Sequence, residues 1–544
     1  MSQFDAHLAA FAAPAANGTL RGILRGIEKE SLRVTPEGRL AQTDHPAGLG
    51  SALAHPHITT DYSEALLEFI TEPSASIEAV LGQLDDIHRY TYGQLESEHL
   101  WPGSMPCVLA GDDSIPVARY GSSNSGAMKT IYRLGLGHRY GRAMQTIAGV
   151  HYNFSLPDEF WHELARLEGT EQNLQSFKTD KYFALIRNFR RYFWLLLYLF
   201  GAAPAVCRSF VRGRKHALEP LGQDENTLHA PYATSLRMGD LGYQSDAQQS
   251  LIVCYNNLDN YLQTLCGAIT RPHPAYEAIG LKDAEGHYQQ LNTSLLQIEN
   301  EFYSTIRPKR TAKSGETALQ ALRLRGVEYV EVRCVDLNPF EPLGVCSEQL
   351  HYLDAFLLFC LLQDSPLTGD TEYLGLQENQ KRVVYSGRDP ALKLMVNGGE
   401  VSAREWASQV QQGVLSCARL LDTACGGSAY EQAHAEAQRK LAGEASTPAD
   451  RVLQVLRDKQ QTYYAFAMEL AQAHSAHFAG RPLEAEREAH FKALAEQSIR
   501  QQTEVEAADQ LSFDAHLAAY YAQYRDCANC GCEPQAAISA QSGC

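Results

Sequence analysis

The stretch 26–34, GIEKESLRV, places two glutamates two residues apart in a segment that is otherwise typical of a β-strand. Because a strand alternates its faces, Glu28 and Glu30 share one face with the apolar Leu32 and Val34. Burying unpaired carboxylates is costly, and placing like charges together costs more. The face is therefore either exposed to solvent or built around a cation. From this segment alone the exposed face is favoured, since most charged strand residues are solvated.

Carboxylates also occur in two other strand-like segments, and a histidine in a third. These residues are Asp61, Glu64 and Glu68 in TTDYSEALLEFITEP, Glu328, Glu331 and Asp336 in RGVEYVEVRCVDLNPF, and His151 in GVHYNFS. Several strands that each turn an acid inward would form a wall of oxygen ligands for Mg²⁺, and a histidine among them also suits Mn²⁺. For any single acid a surface charge or a local salt bridge is the simpler interpretation. Together the segments favour a metal site.

Basic residues form a second pattern. Alternation puts Arg333 on the same strand face as Glu331, and the other members are Arg133, Arg237, and Arg307, Lys309 and Arg310 in IRPKR. In an acidic protein such groups can hold a carboxylate or a phosphate, and the planar fork of arginine allows two parallel hydrogen bonds. For Arg310 we expect an ordinary surface charge.

Two regions differ in their periodicity. Residues 20 to about 345 mix strand-like pieces (GIEKESLRV, ALLEFIT, GVHYNFSLP and GVEYVEVRCVDL) with helical stretches such as 76–96 and 178–200. From about residue 346 the pattern is almost wholly helical. The predicted helices there are 347–363, 403–423, 428–442, 449–473 and 483–509. The sequence therefore predicts an α+β fold with a sheet-bearing region over 20–345 and a mainly helical region over 346–525.

Composition excludes several classes of protein. The net charge of −17 argues against nucleic acid as a partner. The N-terminus has no basic stretch of a secretory signal. The longest uncharged run, 192–207, is shorter than a membrane span needs and predicts a buried helix instead. Cysteines scattered through the globular part fit a reducing compartment. We expect a cytoplasmic protein without membrane contact, and a flexible cysteine-bearing tail over 526–544.

Some familiar patterns carry no function here. The loop GSSNSGAMKT has Ala127 where the nucleotide-binding P-loop requires lysine, so any use of ATP needs another site. The heptapeptide FDAHLAA occurs at 4–10 and again at 513–519, which indicates two similar short amphipathic helices or a coincidence.

A series of motifs does resemble a known family. In order along residues 20–345 they are GIEKESLRV, HITTDYSEALLEFIT, WPGSMPC, YGSSNSGAMKTIYRLGLGHRYG, MQTIAGVHYNFSLP, PYATSLRMGDLGY, QIENEFYSTIRPKR and GVEYVEVRCVDLNPF. They look like the bacterial type 1 family of glutamate–cysteine ligases, whose reaction is the first step of glutathione synthesis. The likeness continues more weakly to about residue 510 and does not include the cysteine-bearing tail.

The resemblance implies a fold, a reaction and a metal site. The implied fold is similar to the glutamine synthetase catalytic domain, with a curved antiparallel sheet flanked by helices, and residues 1–525 would form a single catalytic unit. The implied reaction joins L-glutamate to L-cysteine with ATP as co-substrate, through a γ-glutamyl phosphate. The implied ligands of Mg²⁺, with Mn²⁺ as an alternative, are Glu28, Glu30, Asp61, Glu68, His151 and Glu331.

The resemblance also implies roles around the substrates. Arg333 would face the transferred phosphoryl group, Arg237 would hold a glutamate carboxylate, and Arg133 would close over the substrates. A loop around Arg133, with glycines at 121, 126, 135 and 137, would act as a lid. The implied pocket for the cysteine side chain comprises Tyr62, Tyr132, Leu136, Gln145, Tyr243 and Tyr303. Position 62 is often phenylalanine in the family, so its hydroxyl here is a departure.

Other functions stay open at this point. Another carboxylate–amine ligase or a guanidino kinase would share the fold, and so would a non-catalytic binding protein. No implied ligand and no implied arginine is missing, which favours an enzyme. We expect a monomer.

Overall fold

The computed structural model describes residues 2–106, 108–222, 224–241, 248 and 251–528. Its largest sheet has seven strands, and each of the pairs between them is antiparallel. They are β1 (Leu24–Val34), β2 (Ile58–Thr60), β3 (Leu66–Ile70), β4 (His99–Leu100), β5 (Val150–Ser155), β9 (Ile306–Lys309) and β10 (Tyr329–Val335). Their order is β2-β3-β1-β5-β10-β9, and β4 pairs with the end of β1.

The other strands of the described residues form two smaller sheets. Three strands pair in the order β6 (Ala205–Cys207), β8 (Asp224–His229) and β7 (Glu219–Leu221), and a hairpin joins β11 (Lys393–Val396) to β12 (Gly399–Ser402). Asn397 and Gly398 turn this hairpin with positive φ angles of 51° and 78°, the backbone conformation that a tight hairpin turn requires.

Helices flank the sheet and form most of the chain after residue 346. Among the described residues before 346, the helices are α1 (Gln3–Phe11), α2 (Pro14–Gly18), α3 (Ile77–Gln94), α4 (Asn124–Tyr140), α5 (Asp158–Glu168), α6 (Leu174–Tyr192), α7 (Trp194–Phe200), α8 (Leu258–Thr270), α9 (Pro274–Glu277) and α10 (Ala318–Arg325). The others are α11 (Ser347–Leu362), α12 (Asp370–Ser386), α13 (Ala403–Cys425), α14 (Ala429–Ala442), α15 (Pro448–Asp458), α16 (Tyr463–Ala479), α17 (Ala485–Ala508) and α18 (Phe513–Ala528).

Alternation in β1 divides the sheet into two faces. Arg25, Ile27 and Lys29 point toward the core, and Glu28 and Glu30 point to the other face. The helix α11 covers the core face and is buried from Gln349 onward, as its apolar sequence on all sides predicts. The sheet is therefore supported on one side and left available for chemistry on the other.

The predicted α+β fold is confirmed, with differences in detail. The predicted helix 449–473 is two helices, because Gln460 adopts a positive φ of 48° and Thr462 caps the helix that follows. The run 192–207 is a buried helix only as far as Phe200, and β6 follows it. Residues 526–528 belong to α18, and the predicted tail from 529 onward lies outside the described residues.

Two observations bear on the environment of the protein. Among the described residues, no helix combines the length and the apolar character needed to cross a membrane. Reduced thiols are found at Cys266, Cys334, Cys346, Cys360, Cys417 and Cys425. Cys207 and Cys254 are disulfide-bonded.

Candidate active site

Strand register brings the predicted acidic residues together. In β1, Glu28 lies opposite His151 of β5 and Glu30 lies opposite Glu68 of β3. In β10, Glu331 lies opposite Asn153, the residue two positions after His151. Directly opposed residues point to the same face of a sheet, so these side chains converge. We refer to Glu28, Glu30, Glu68, Glu331 and His151 as the acid cluster.

The acid cluster forms two groups that share its histidine. The ligand atoms of Glu28, His151 and Glu331 lie within 4.8 Å of one another, and so do those of Glu30, Glu68 and His151. His151 Nδ1 is 3.2 Å from Glu28 Oε2, and its Nε2 is 3.7 Å from Glu30 Oε1. These two groups are candidate metal sites that share one imidazole. Asp61 lines the cavity beside them.

Fixed donors orient the carboxylates. Asn153 donates from Nδ2 to Glu28 Oε1 at 2.9 Å, and the Gly149 backbone N–H donates to Glu30 Oε2 at 2.7 Å. Sequence analysis did not identify Asn153, although its position two residues after His151 on the same strand face indicates it. Such bonds hold ligand oxygens in place before any ion arrives.

Burial disfavours the ionised form of two members of the acid cluster. Burial, followed by the charges of Glu28, Asp61 and Glu30, raises the pKa of Glu68 well above its ordinary value. Burial also raises the pKa of Glu30. Among the described residues Glu331 Oε2 is buried without a hydrogen-bond partner. Oxygen-rich ligands with an unsatisfied buried oxygen fit a hard divalent cation.

The interpretation of the β1 face as solvent-exposed is wrong. Glu30 is 4% exposed, and both glutamates converge on His151 instead of pointing into bulk water. The alternative, a face built around a cation, agrees with this geometry.

Arg333 lies in an irregularity of β10. The register with β5 shifts between Val332 and Val335, so that a bulge contains Arg333. Bulges re-aim side chains beside active sites. Here Arg333 Nη1 donates to Glu331 Oε1 at 3.1 Å and lies 3.4 Å from His151 Nδ1. Although burial opposes ionisation of Glu331, Lys309 and Arg333 hold its pKa well below the usual range.

A cavity of about 1380 Å³ lies over this face of the sheet. It contains nearly all the residues that the sequence predicts for the site. Its predicted lining residues are Glu28, Glu30, Asp61, Tyr62, Glu68, Tyr132, Arg133, Leu136, Gln145, His151, Tyr303, Glu331 and Arg333. The basic Arg307 and Lys309 line it as well. Tyr243 lies outside the described residues.

Arg237 occupies a different position. It is fully buried, donates from Nη2 to the Arg333 carbonyl at 2.8 Å, and has Nη1 3.7 Å from Asp336 Oδ1. It lines an adjoining cavity of about 510 Å³ instead of the large one. Tyr303 borders both cavities. Arg237 thus supports the backbone of Arg333 from behind.

The predicted lid loop around Arg133 is wrong as a loop. Residues 124–140 form α4, capped by the Ser123 side chain. Its glycines allow close packing: a Cβ at Gly135 would lie 2.2 Å from Gln297 Oε1, and one at Gly137 would lie 2.5 Å from Tyr62 Oη. Arg133 donates to the Asp61 carbonyl and packs its guanidinium 4.5 Å from the centre of the Tyr120 ring. The helix α4 forms a wall of the cavity.

Four charged residues noted in the sequence, one base and three acids, lie outside the acid cluster and do not line the large cavity. Arg310, predicted as a surface charge, pairs with Glu328 at 3.6 Å, away from the cavity lining. Asp336 accepts from Ser235 and from the Ala202 N–H. Of the acids noted in strand-like segments, Glu64, Glu328 and Asp336 thus have structural partners, and Glu64 accepts from the N–H groups of His45 and Arg119.

An antiparallel sheet that displays four carboxylates, a histidine and flanking cations on one face is a candidate metal site of the kind found in enzymes that bind phosphate groups. The family model for glutamate–cysteine ligase matches residues 8–383. The chain belongs to the glutamate–cysteine ligase family.

Relatives agree over most of the chain. A glutamate–cysteine ligase of Saccharophagus degradans is 54% identical over 509 residues, which cover 93% of this chain and 96% of that protein. One from Alcanivorax borkumensis is 52% identical, with 93% and 97% covered.

Solved structures give the same picture of the fold. The glutamate–cysteine ligase of Francisella tularensis in complex with AMP superposes with a TM-score of 0.87 at 36% identity, covering 93% of this chain and 99% of that one. A bifunctional glutathione synthetase from Pasteurella multocida gives a TM-score of 0.70 at 25% identity, covering 91% of this chain and 58% of that one.

Proposed function

We propose that this chain catalyses the ATP-dependent joining of the γ-carboxylate of L-glutamate to the amine of L-cysteine, the first step of glutathione synthesis. The products are γ-glutamylcysteine, ADP and phosphate. Membership of the glutamate–cysteine ligase family carries this proposal, and identities above 50% over nine tenths of the chain support it. The enzyme is a ligase, and the AMP complex of a relative agrees with its use of ATP.

The reaction brings anions together, which explains the charges of the site. The γ-carboxylate oxygen attacks the terminal phosphorus of ATP, and ADP leaves. The amine nitrogen of cysteine then attacks the acyl carbon, loses a proton, and phosphate leaves. Both the attacking carboxylate and the triphosphate are negative, so the site must supply compensating positive charge.

The acid cluster would hold Mg²⁺, with Mn²⁺ as an alternative, together with Asp61. One group is Glu28, His151 and Glu331, and the other is Glu30, Glu68 and His151. When bound, the cations neutralise the phosphate and carboxylate oxygens and hold them in register. The hydrogen bonds from Asn153 and Gly149 keep the carboxylates in position for this purpose.

Arg333 is the residue we assign to the transferred phosphoryl group. Its guanidinium is held by Glu331 and lies 5.9 Å from the centre of the Tyr303 ring, so its direction is set before substrate binds. Lys309 stands 3.5 Å from Glu331. Although burial disfavours its charge, Glu331 and Glu28 raise its pKa, so it stays a cation at the acid cluster.

The wall opposite the sheet would receive the amino-acid substrates. Tyr62, Tyr132, Leu136, Gln145 and Tyr303 would enclose the cysteine side chain, and aromatic walls suit a small polarizable thiol. Arg133 would close one side. Arg237 would act on the glutamate carboxylate only through a different placement than the one observed, so we assign it to the support of Arg333.

Residues 1–525 would act as one catalytic unit, because strands from the first 345 residues and helices from both regions border the same cavity. We also propose magnesium as the physiological metal, a cytoplasmic location, a monomeric state, and no nucleic-acid or membrane partner.

An endpoint assay tests the function. Purified protein is mixed with ATP, Mg²⁺ and L-glutamate, with and without L-cysteine, and products are identified by mass. We expect γ-glutamylcysteine, ADP and phosphate in the sample with cysteine. AMP and pyrophosphate would overturn the acyl-phosphate route. Absence of an amide with cysteine would contradict the substrate assignment, and other amine and guanidine acceptors would be tested next.

A further inference from the structure

The repeated heptapeptide FDAHLAA has two different environments. In α1, His7 is buried, with Nδ1 2.9 Å from the Leu362 carbonyl and Nε2 3.2 Å from Glu168 Oε1. In α18, the equivalent His516 is half-buried and lines the large cavity. The same seven residues thus make a core contact at one end of the chain and a cavity wall at the other.

The start of α18 is held against the body of the protein. Asp514 accepts from Lys282 Nζ at 3.2 Å and from the Tyr288 hydroxyl, and the Phe513 ring packs edge-on against Tyr288 with centroids 5.0 Å apart. These contacts join the first turn of α18 to Lys282 and Tyr288. His516, Ala519, Tyr520 and Gln523 line the cavity.

Two tyrosines attach α18 to the segment 297–301. The Tyr521 hydroxyl donates to the Gln297 carbonyl at 2.8 Å. The Tyr524 hydroxyl donates to Glu299, and its side chain is fully buried. A buried hydroxyl on a carboxylate is a strong contact, since the charged acceptor strengthens the hydrogen bond.

The same segment supports the substrate wall from its other side. Gln297 Nε2 donates to the Tyr132 carbonyl at 3.1 Å, and Arg139 Nη1 donates to Glu301 Oε1 at 2.9 Å. Arg307 Nη2 donates to the Asn300 carbonyl at 2.9 Å. Tyr132, Arg139 and Arg307 all line the cavity. The segment 297–301 therefore connects α18 by hydrogen bonds to three residues that line the cavity.

We propose that α18 forms a wall of the substrate cavity, with Tyr521 and Tyr524 as positioning residues that hold the segment 297–301 and, through it, Tyr132 and Arg307. This inference rests on the proposed function. It concerns a helix that lies beyond the residues 8–383 matched by the family model.

A second consequence concerns water. The γ-glutamyl phosphate is an activated acyl group, and attack by water instead of cysteine returns L-glutamate and phosphate without an amide. A wall that keeps water out holds phosphate release equal to dipeptide formation. Loosening α18 should therefore raise the ratio of phosphate to γ-glutamylcysteine above one.

The test uses two pairs of variants in the full chain. Tyr524→Phe removes the hydroxyl on Glu299, and Tyr464→Phe is its control, because Tyr464 donates to the Glu37 carbonyl away from the cavity. His516→Ala alters the cavity wall, and His7→Ala makes the same change in the buried copy of the heptapeptide. Initial rates, KM values, the phosphate-to-dipeptide ratio and thermal midpoints are measured for all four.

We expect Tyr524→Phe and His516→Ala to raise at least one substrate KM by about two- to tenfold, the effect of one lost hydrogen bond or contact. The phosphate-to-dipeptide ratio should rise with it. His7→Ala should lower the thermal midpoint and leave KM and the ratio as in the parent protein. Tyr464→Phe should change neither KM nor the ratio.

Unchanged KM and an unchanged ratio in both α18 variants would overturn the proposal, whatever their thermal midpoints. If Tyr524→Phe does not fold, His516→Ala decides, since its side chain is outside the core. If the parent protein forms no γ-glutamylcysteine, the proposed function fails separately. Calorimetric titration with L-glutamate and with MgADP then decides the role of α18: weaker binding by its variants supports it, and equal binding overturns it.

Discussion

The two faces of the central sheet both bury charge, but they balance it differently. On the core face, Arg25 of β1 meets Asp354 of α11 with Nε 2.7 Å from Oδ2, and both side chains are almost wholly buried. On the other face, three residues further along β1, the acid cluster brings four carboxylates together around His151.

Both side chains of the Arg25–Asp354 pair on the core face have hydrogen-bond partners. Arg25 donates to Asp354, to the Ile23 and Ala75 carbonyls and to the Tyr430 hydroxyl, and the Tyr152 hydroxyl donates to Asp354 Oδ1 at 2.6 Å. The acid cluster instead has an unsatisfied oxygen on Glu331 within the described residues. Removing one partner of the buried Arg25–Asp354 pair would destabilise the fold, whereas the unsatisfied carboxylate oxygen of the acid cluster is available to bind a cation.

The largest effect we expect is a loss of stability when the Arg25–Asp354 pair on the core face is broken. Asp354→Asn leaves the Arg25 guanidinium buried without its anion, which should lower the free energy of unfolding by about 3–5 kcal/mol. Denaturant unfolding with and without the substitution measures it. The kcat of the folded fraction should stay close to that of the parent protein. A large fall in kcat with unchanged stability would contradict the structural role that we assign to the Arg25–Asp354 pair.

The next effect is on the acid cluster. Glu28→Gln keeps the shape and the Asn153 contact on Oε1 but removes a ligand charge, so kcat/KM should fall by about 10²-fold, roughly 2.7 kcal/mol of transition-state stabilisation. The exposed Glu444→Gln is a matched control and should not change the rate. Turnover near that of the parent at saturating Mg²⁺ would contradict the assignment of Glu28.

Arg333→Lys should have a smaller but clear effect. A lysine keeps the charge and loses the planar fork, so we expect kcat to fall by about tenfold or more. Steady-state rates across a range of ATP concentrations separate kcat from KM. A change in KM for glutamate alone would place Arg333 on the other substrate and away from the phosphoryl group.

The smallest effect has the opposite sign for stability. Without divalent cations, Glu68→Gln removes a buried carboxyl whose ionisation burial and the neighbouring acids disfavour, so the protein should gain about 1 kcal/mol. Adding Mg²⁺ should then raise the thermal midpoint of the parent protein more than that of the variant. Equal midpoint shifts in the two proteins would remove Glu68 from the metal site.

The alternation of side chains along single strands was sufficient to predict much of the site. Alternation in β1 and β10 places Glu28 with Glu30 and Glu331 with Arg333, as observed. The same alternation could not choose between a solvated face and a cation site, because that depends on which strands lie alongside. In the structure, His151 of β5 lies opposite Glu28 and Glu68 of β3 lies opposite Glu30, which favours the cation site.

The prediction of a loop around Arg133 was wrong, and the glycines of this segment explain the error. Gly135 and Gly137 in a short interval favour a loop by local propensity, yet α4 is helical through both. Their role is close approach to Gln297 and Tyr62, residues distant in sequence. Propensity describes the isolated chain, and tertiary packing overrides it where a side chain would not fit.

The sequence by itself determined the family, the α+β class and the residue types of the site, because ordered motifs and strand periodicity are properties of short segments. Only the tertiary structure decided that Arg333 sits in a bulge, that Arg237 lies behind it, and that α18 borders the cavity. The two copies of FDAHLAA give the physical reason: His7 and His516 have identical neighbours along the chain, and their environments differ because long-range packing sets burial and partners.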